Sequence, residues 1–554
     1  MPIYRVTPLA PAYILLLGAA LILVVGPALT SRRRHALGVV AGVAALLSLF
    51  WVGSGYPADV NLVRRLVDWL GEPALALRVP AFEPFLWVLI LSLLAIVLAQ
   101  RDDELDRLTP LNQATYFALT ATACGLILAG NYRTLAFALL LFDGTAALFA
   151  LVTRRPNRAV GRLLLGVLSS VAVIGLAQGG DYLTAQPRAL GSLFSLVVWL
   201  RLGLYPLVES QGRPGGLRSM RLGWTVVNLT VGLYLVSGVA APWFVVLAGT
   251  TTALHGALAW LEPNAERALA YTAYGLAGGI LTMAAAVGDE LGVVAASIST
   301  LAALVALALT PARLGRPSGS HPRHIWGYLP PTLATASLVG IPFTLGWEGR
   351  GALYQATWQA GALGVLALVV VAEGAALSML YRYWQRLFAG APGERQDRLP
   401  GNSTALADDE GPAKSTAEKG GRGQNETNIW PLMGATLACI PFLIPVLGPY
   451  LVLGPIPTAV LGPTVFSALL GLVGSLLWAL FLGYGRRRLL ASSPVSLPGL
   501  INVLRLGWLL RGLGHALDSL GRVLLRLRAV IEGEHYLAWA ILLALIMVLV
   551  ILLR

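Results

Sequence analysis

Apolar residues recur in runs of about 20, long enough for a helix to cross the hydrocarbon core of a bilayer. Short polar breaks separate the runs along nearly the whole chain. The pattern predicts sixteen helical spans, centred near residues 20, 45, 91, 121, 142, 169, 198, 231, 251, 277, 300, 336, 368, 439, 473 and 545. The alternating ten-residue segments of a β-barrel are missing. The first run lacks a basic start and is followed by many like it, so it reads as a span and not a cleaved signal.

The breaks predict an orientation. Basic clusters follow span one ("SRRRH"), five ("TRRPNR"), seven ("GRPGGLRSMR"), eleven ("PARLGRPSGSHPRH"), thirteen ("YRYWQR") and fifteen ("GRRR"). All are odd, so all fall on one side, and that side is expected to be cytoplasmic. Both termini then face the other side of a prokaryotic inner (plasma) membrane crossed many times.

Three stretches depart from this plan. Residues 56–80 read as a polar loop with an amphipathic piece, "LVRRLVDWL". Residues 391–428, rich in Gly, Ser, Asp, Glu and Lys, read as a disordered cytoplasmic linker; its "NST" and "NET" are chance matches to glycosylation acceptors on that face. From Pro498 to Glu532, Arg505, Arg511, His515, Asp518, Arg522 and Arg526 recur mostly every three or four residues among Leu and Val. This is an amphipathic helix roughly 50 Å long at 1.5 Å per residue. Two readings fit it, a helix on the lipid surface and a strap along neighbouring subunits.

Composition sharpens the class. The chain is 56% hydrophobic and 12% charged, about half the charge of a soluble domain. The net charge of +13 fits loop topology and anionic lipid better than nucleic acid. Cys124 and Cys439 lie in apolar runs, with no disulfide, metal or redox spacing. No phosphate loop, flavin or nicotinamide motif or HExxH occurs, so no cofactor or metal is expected and the chain alone is not expected to catalyse a reaction.

The candidate chemistry lies in the few ionisable residues inside the spans, which are costly there and tend to mark ion paths. These are Asp143, Arg201, His255, Glu348, Arg350 and Glu373. Pro206 and Pro342 interrupt spans seven and twelve, each near an arginine. Paired interrupted spans are a sign of an internally repeated transporter. A proline frees a backbone carbonyl, which is tolerated at membrane depth only where protein or water supplies a partner. The alternative for Arg201 and Arg350 is a packing kink with a snorkelling side chain. For His255 the alternative is a hydrogen-bonded packing residue.

These segments resemble the antiporter-like membrane subunits of respiratory complex I, a family shared with Mrp antiporters and membrane-bound hydrogenases. The resemblance covers roughly residues 80–390. "NYRTLAFALLLFDGTAALFAL" looks like the family's fifth span, with Asp143 on its key glutamate. "WLRLGLYPL" looks like the broken seventh span, with Arg201 on its key lysine. "VGLYLV" is similar to the eighth, and "LEPNAERALAYTAYGLAGGIL" to the segment that follows the ninth. "SLVGIPFTLGWEGRGALYQA" is similar to the broken twelfth span, with Arg350 at the usual Lys or Glu. The amphipathic helix before the last span resembles the lateral helix of the family's distal member.

The resemblance implies an all-α polytopic protein of about 16 transmembrane helices, with two inverted five-helix repeats. Residues 1–110 hold the first three spans, 111–240 and 241–390 the two half-channels, and 391–428 the linker. Residues 429–485 hold spans fourteen and fifteen, 486–532 the lateral helix and 533–554 the final span. It implies proton or cation translocation coupled to redox chemistry in other subunits of an NADH-quinone oxidoreductase-type complex. The partners are those membrane subunits, met through the lateral helix and bundle faces, and lipids, with no nucleic acid.

The departures bear on mechanism. Trp224 stands where the family has a histidine, and "SISTLAALVALAL" has no titratable group where the family has histidine and lysine. Arginine replaces lysine at both broken spans, and arginine does not give up its proton. Two further readings therefore stand beside ion translocation. One is a structural paralogue that scaffolds the complex after losing the relay. The other is an antiporter-type partner of a soluble carbon- or hydrogen-handling enzyme.

Overall fold

The structure is a computed structural model. It describes residues 9–55, 62–65, 76–79, 83–100, 102–152, 156–177, 191–202, 218–238, 242–287, 290–310, 322–342, 344–389, 429–441 and 465–491. Pro206, the linker, the lateral helix and the final span lie outside the described residues.

The first helices are α1 (Ala10–Val24), α2 (Ser31–Gly55), α3 (Pro84–Leu98), the short α4 (Asp102–Arg107), α5 (Pro110–Ile127), α6 (Tyr132–Val152), α7 (Pro156–Ala177), α8 (Gly191–Leu202) and α9 (Arg218–Tyr234). They are followed by α10 (Pro242–Leu261), α11 (Ala265–Val287), α12 (Glu290–Leu309), α13 (Pro322–Val339), α14 (Leu345–Gln359), α15 (Leu363–Ala389), α16 (Ile429–Leu437) and α17 (Val465–Ala491). Fourteen of the expected span centres fall inside these helices, and residue 439 lies just past α16. Seven of the described helices are long and apolar enough to cross a membrane, and α12 is almost wholly enclosed by its neighbours.

The stretch expected as a polar loop at 56–80 carries some regular structure. It contains an antiparallel hairpin, β1 (Leu62–Arg65) on β2 (Ala76–Val79), with Leu62 opposite Val79 and Arg65 opposite Ala76. The first half of the amphipathic piece "LVRRLVDWL" is strand β1, with the β-branched Val63 opposite Arg78 across the ladder.

Local chemistry accounts for the helix ends. Proline, whose missing N–H costs nothing in a first turn, opens α3 and α5. The Thr109 hydroxyl caps α5 by accepting from the Asn112 amide at 3.2 Å. Several threonine hydroxyls inside the spans are satisfied by carbonyls four residues back, as for Thr120, Thr230, Thr252, Thr282 and Thr300. That local bond is what lets Ser and Thr sit in an apolar bundle.

The centre of the bundle is α12, packed on α3, α9, α13 and α14. To one side α6 and α7 form a tight pair; on the other α10 packs on α11 and α15, and α15 on α17. Some of the basic residues at odd-numbered span ends are structural ties. Arg382 on α15 donates to the carbonyls of Ala259 and Glu262 at 2.6 Å each, and Arg386 to that of Pro263 at 3.0 Å. Tyr383 donates to Leu307 at the end of α12. The ends of spans nine, eleven and thirteen therefore meet on one face. Arg34, at the start of α2, likewise donates to the carbonyl of Leu108 at 2.6 Å.

The twelfth span is broken in two. α13 ends in a Schellman turn, with Gly340 at φ 78° donating to the Ser337 carbonyl and Ile341 to that of Ala336. Pro342 follows and cannot continue the helix. α14 restarts at Leu345, its N-terminus capped by Thr344, whose hydroxyl accepts from the Trp347 amide at 3.2 Å. A side chain at Gly349 would run into the backbone of Ala296, so α14 can lie this close to α12 only with glycine there.

Candidate functional site

Two buried carboxylates, one in each expected half, are each joined to a guanidinium from another helix. In the first, Asp143 of α6 forms an ion pair with Arg201 of α8; the aspartate is 0% exposed and the arginine 5%. Gly166 of α7 faces the carboxylate. A Cβ there would lie 2.9 Å from Asp143 Cβ and 3.0 Å from its Oδ2, so the glycine makes room for the pair.

A second cation borders this carboxylate. Arg162 of α7 places Nη1 3.9 Å from Asp143 Oδ1. The same Nη1 donates to Asn228 Oδ1 of α9 at 3.1 Å. Its guanidinium carbon lies 4.8 Å from the centroid of the Trp224 ring, within cation–π range. Trp224 in turn stacks on Phe149 of α6.

In the second half, Glu373 of α15 meets Arg350 of α14; they are 0% and 1% exposed. Tyr354, one turn beyond Arg350, donates its hydroxyl to the same carboxylate oxygen and accepts from Arg350 Nη2 at 3.2 Å. The other nitrogen of Arg350 donates to the carbonyl of Leu338. Leu338 is four residues before Pro342, the position whose carbonyl a proline leaves without its helical donor. The broken helix and the buried charge thus satisfy each other, and Arg350 does not snorkel. Gly279 of α11 faces the other oxygen: a Cβ there would sit 2.5 Å from Glu373 Oε1. No hydrogen-bond partner for that oxygen is found among the described residues.

His255 of α10 is fully buried. Its Nδ1 lies 2.9 Å from the Thr251 carbonyl, so Nδ1 is the donor of this bond. Its Nε2 has no hydrogen-bond partner among the described residues. The ring lies near Tyr271 and Tyr274 of α11, at centroid distances of 6.0 and 5.6 Å. It joins neither ion pair, but it shares a neighbour with one. Gly275 of α11 packs against the His255 Cβ, and Gly279, one turn on, packs against Glu373.

Glu348 is not part of either cluster. It lies in the first turn of α14 and is half-buried. At about 100° per residue, Glu348 and Arg350 point roughly 200° apart, so only one can face Glu373. Pro342 is exposed at the break.

Reasoning from sequence missed Arg162, Asn228 and Tyr354. Arg162 lies four residues beyond the basic cluster "TRRPNR" and reads as an extension of it, and Asn228 as an ordinary polar residue in a helix. Tyr354 carried a usable signal: it is four residues after Arg350, on the same helix face. Among the described residues no group of His, Cys, Asp and Glu has the arrangement of a metal site.

No family model matches the sequence, and no characterised protein matches it by sequence. Solved structures do match. A chain of the Mrp complex from a Dietzia species aligns over 99% of this chain at 15% identity and a TM-score of 0.60; this chain spans 63% of that one's length. A chain of respiratory complex I from Thermus thermophilus aligns over 84% of this chain and 98% of its own, at 16% identity and a TM-score of 0.54. A chain of the membrane-bound sulfane sulfur reductase, an archaeal respiratory membrane complex, aligns over 98% and 99%, at 15% identity and a TM-score of 0.61. The chain is an integral membrane protein that shares its fold with these membrane-complex chains at 15–16% identity.

Proposed function

We propose that this chain, with its antiporter-like fold, is an ion-translocating membrane subunit of a multi-subunit, complex I-like assembly. It moves protons, or another monovalent cation, across a prokaryotic plasma membrane with redox energy from other subunits. Those subunits are its partners, met through the bundle faces and the lateral helix, with lipid around the rest.

One observation carries the reading. Each expected half buries one carboxylate against one guanidinium, and in the second half the arginine also holds the carbonyl freed at a helix break. Burying charge in an apolar bundle is expensive, and packing alone does not require it twice. The guanidiniums stay charged, so the groups that exchange protons are Asp143 and Glu373. Arg201 and Arg350 are fixed charges that open and close on them. His255 and Glu348 are further stations on the path, the first beside the α11 glycines and the second near the break.

The test is reconstitution of the purified assembly into vesicles with a pH-sensitive dye. Asp143→Asn and Glu373→Gln should each collapse proton uptake while the assembly stays intact. Unchanged uptake in both variants removes the reading.

One observation favours the alternative, a scaffold that has lost the relay. Within the buried length of α12, the helix between the two pairs, the polar side chains are Ser297, Ser299 and Thr300. If the scaffold reading holds, the Asp143→Asn, Glu373→Gln double variant pumps like wild type, yet removing the chain disassembles the complex.

A further inference from the structure

The cluster around Trp224 says most that the two ion pairs do not. Trp224 stands where the resemblance expects a titratable ring, and an indole cannot carry a proton between side chains. It has a different partner. Its face holds the guanidinium of Arg162 at 4.8 Å, and Asn228, one turn further on α9, accepts from the same guanidinium at 3.1 Å. The stack of Trp224 on Phe149 fixes the indole against α6, the helix that carries Asp143. Three helices thus converge to aim one cation at one carboxylate oxygen.

The two guanidiniums approach different oxygens. Arg201 meets Oδ2 of Asp143, while Arg162 stands 3.9 Å from Oδ1. At that separation Arg162 is close enough for electrostatic attraction and too far for a hydrogen bond. Arg162 is also less enclosed than Arg201, with a side chain 11% exposed against 2%.

We infer that Arg162, seated on Trp224 and Asn228, is a positioning residue for Asp143: it is the second counter-ion that holds the carboxylate when Arg201 withdraws. In an apolar bundle, a carboxylate that loses its cation is strongly disfavoured. With a second cation already within 4 Å, the Asp143–Arg201 pair opens without stranding the charge. Trp224 replaces a proton carrier with a seat for this cation. Asp143 then exchanges ions under control of two fixed charges on different helices. The inference rests on Asp143 being an exchanging carboxylate, but its readout is local and does not depend on transport.

The experiment is labelling of the full assembly in vesicles with dicyclohexylcarbodiimide, which adds to protonated carboxyl groups in apolar sites. Modification of the Asp143 peptide is followed by mass spectrometry, with Asp143→Asn as the blank. Arg162→Met should label about ten-fold faster than wild type or more, the scale expected when an opposite charge within ~4–6 Å is removed. Arg162→Lys, which keeps a cation, should remain within about two-fold of wild type. Trp224→Leu should speed labelling and Trp224→Phe, which keeps an aromatic face, should not. If Arg162→Met fails to assemble, the two Trp224 variants decide. Wild-type labelling rates in Arg162→Met and Trp224→Leu would overturn the inference. Loss of transport in Asp143→Asn with unchanged labelling in these variants leaves the proposed function standing without it.

Discussion

The guanidinium of Arg350 bridges the carboxylate of Glu373 on α15 and the carbonyl of Leu338 at the end of α13. One side chain therefore joins the broken helix to the charge buried beside it. Neither feature is tolerable alone. The carbonyl needs a donor at membrane depth, and the carboxylate needs a cation.

This arrangement fixes the expected behaviour of the pair. Arg350→Met strands Glu373 and the Leu338 carbonyl together. It should cost about 3–5 kcal/mol, the penalty for breaking a buried pair by removing one partner. The double variant Arg350→Met, Glu373→Leu removes both charges and should recover part of that loss, the part due to the stranded carboxylate, while the Leu338 carbonyl stays without its donor and transport stays abolished. Thermal unfolding in detergent beside vesicle uptake measures both. A double variant no more stable than the single one contradicts the expectation.

At the first pair, space is the sensitive variable. Gly166→Ala pushes a methyl against Asp143 and should cost about 1–3 kcal/mol, with a matching fall in ion uptake. Gly161→Ala on the same helix meets nothing within 4 Å. It should leave uptake unchanged and stabilise the helix by roughly 0.5–1 kcal/mol. Equal effects from the two variants would show that the methyl at 166 does not reach the carboxylate.

The ties at the helix ends should matter for stability and not for transport. Arg382 donates to two carbonyls and is part-buried, whereas Arg386 makes its bond at the exposed surface. Arg382→Met should lose about 1.5–3 kcal/mol, the range for hydrogen bonds to a charged group. Arg386→Met should lose under about 1 kcal/mol. Uptake per assembled complex should match wild type in both. A transport defect in Arg382→Met at full assembly would place that end of α15 on the ion path.

How the broken helix is built can be tested apart from its charge. Gly349→Ala puts a methyl into the backbone of α12, which cannot move aside as a flexible side chain can. It should prevent assembly outright, read as loss of the chain from the purified complex. Gly364→Ala, on α15 with nothing within 4 Å, should assemble normally.

The antiporter-like architecture was legible in the sequence because the bilayer reduces folding to a pattern. Runs of about 20 apolar residues have one stable outcome in lipid, so the spans could be located without any contact being known. A lone charge in such a run is costly enough to be conspicuous, and so Asp143, Arg201, Arg350 and Glu373 stood out. The break at Pro342 was equally visible, since proline acts on its own helix. Which charge meets which was not. Glu348 and Glu373 look alike as isolated acids. Only helix rotation sends Glu348 away from Arg350, and only the approach of α15 to α14 delivers Glu373 to it. Arg162 was hidden just beyond a cluster of arginines at a helix end, and Trp224 looked like a mere loss, until α6, α7 and α9 came together around Asp143. Hydrophobic periodicity acts within one helix and can be read from it. Ion pairing, stacking and the glycine clearances at 166, 279 and 349 act between helices, and exist only once those helices are packed.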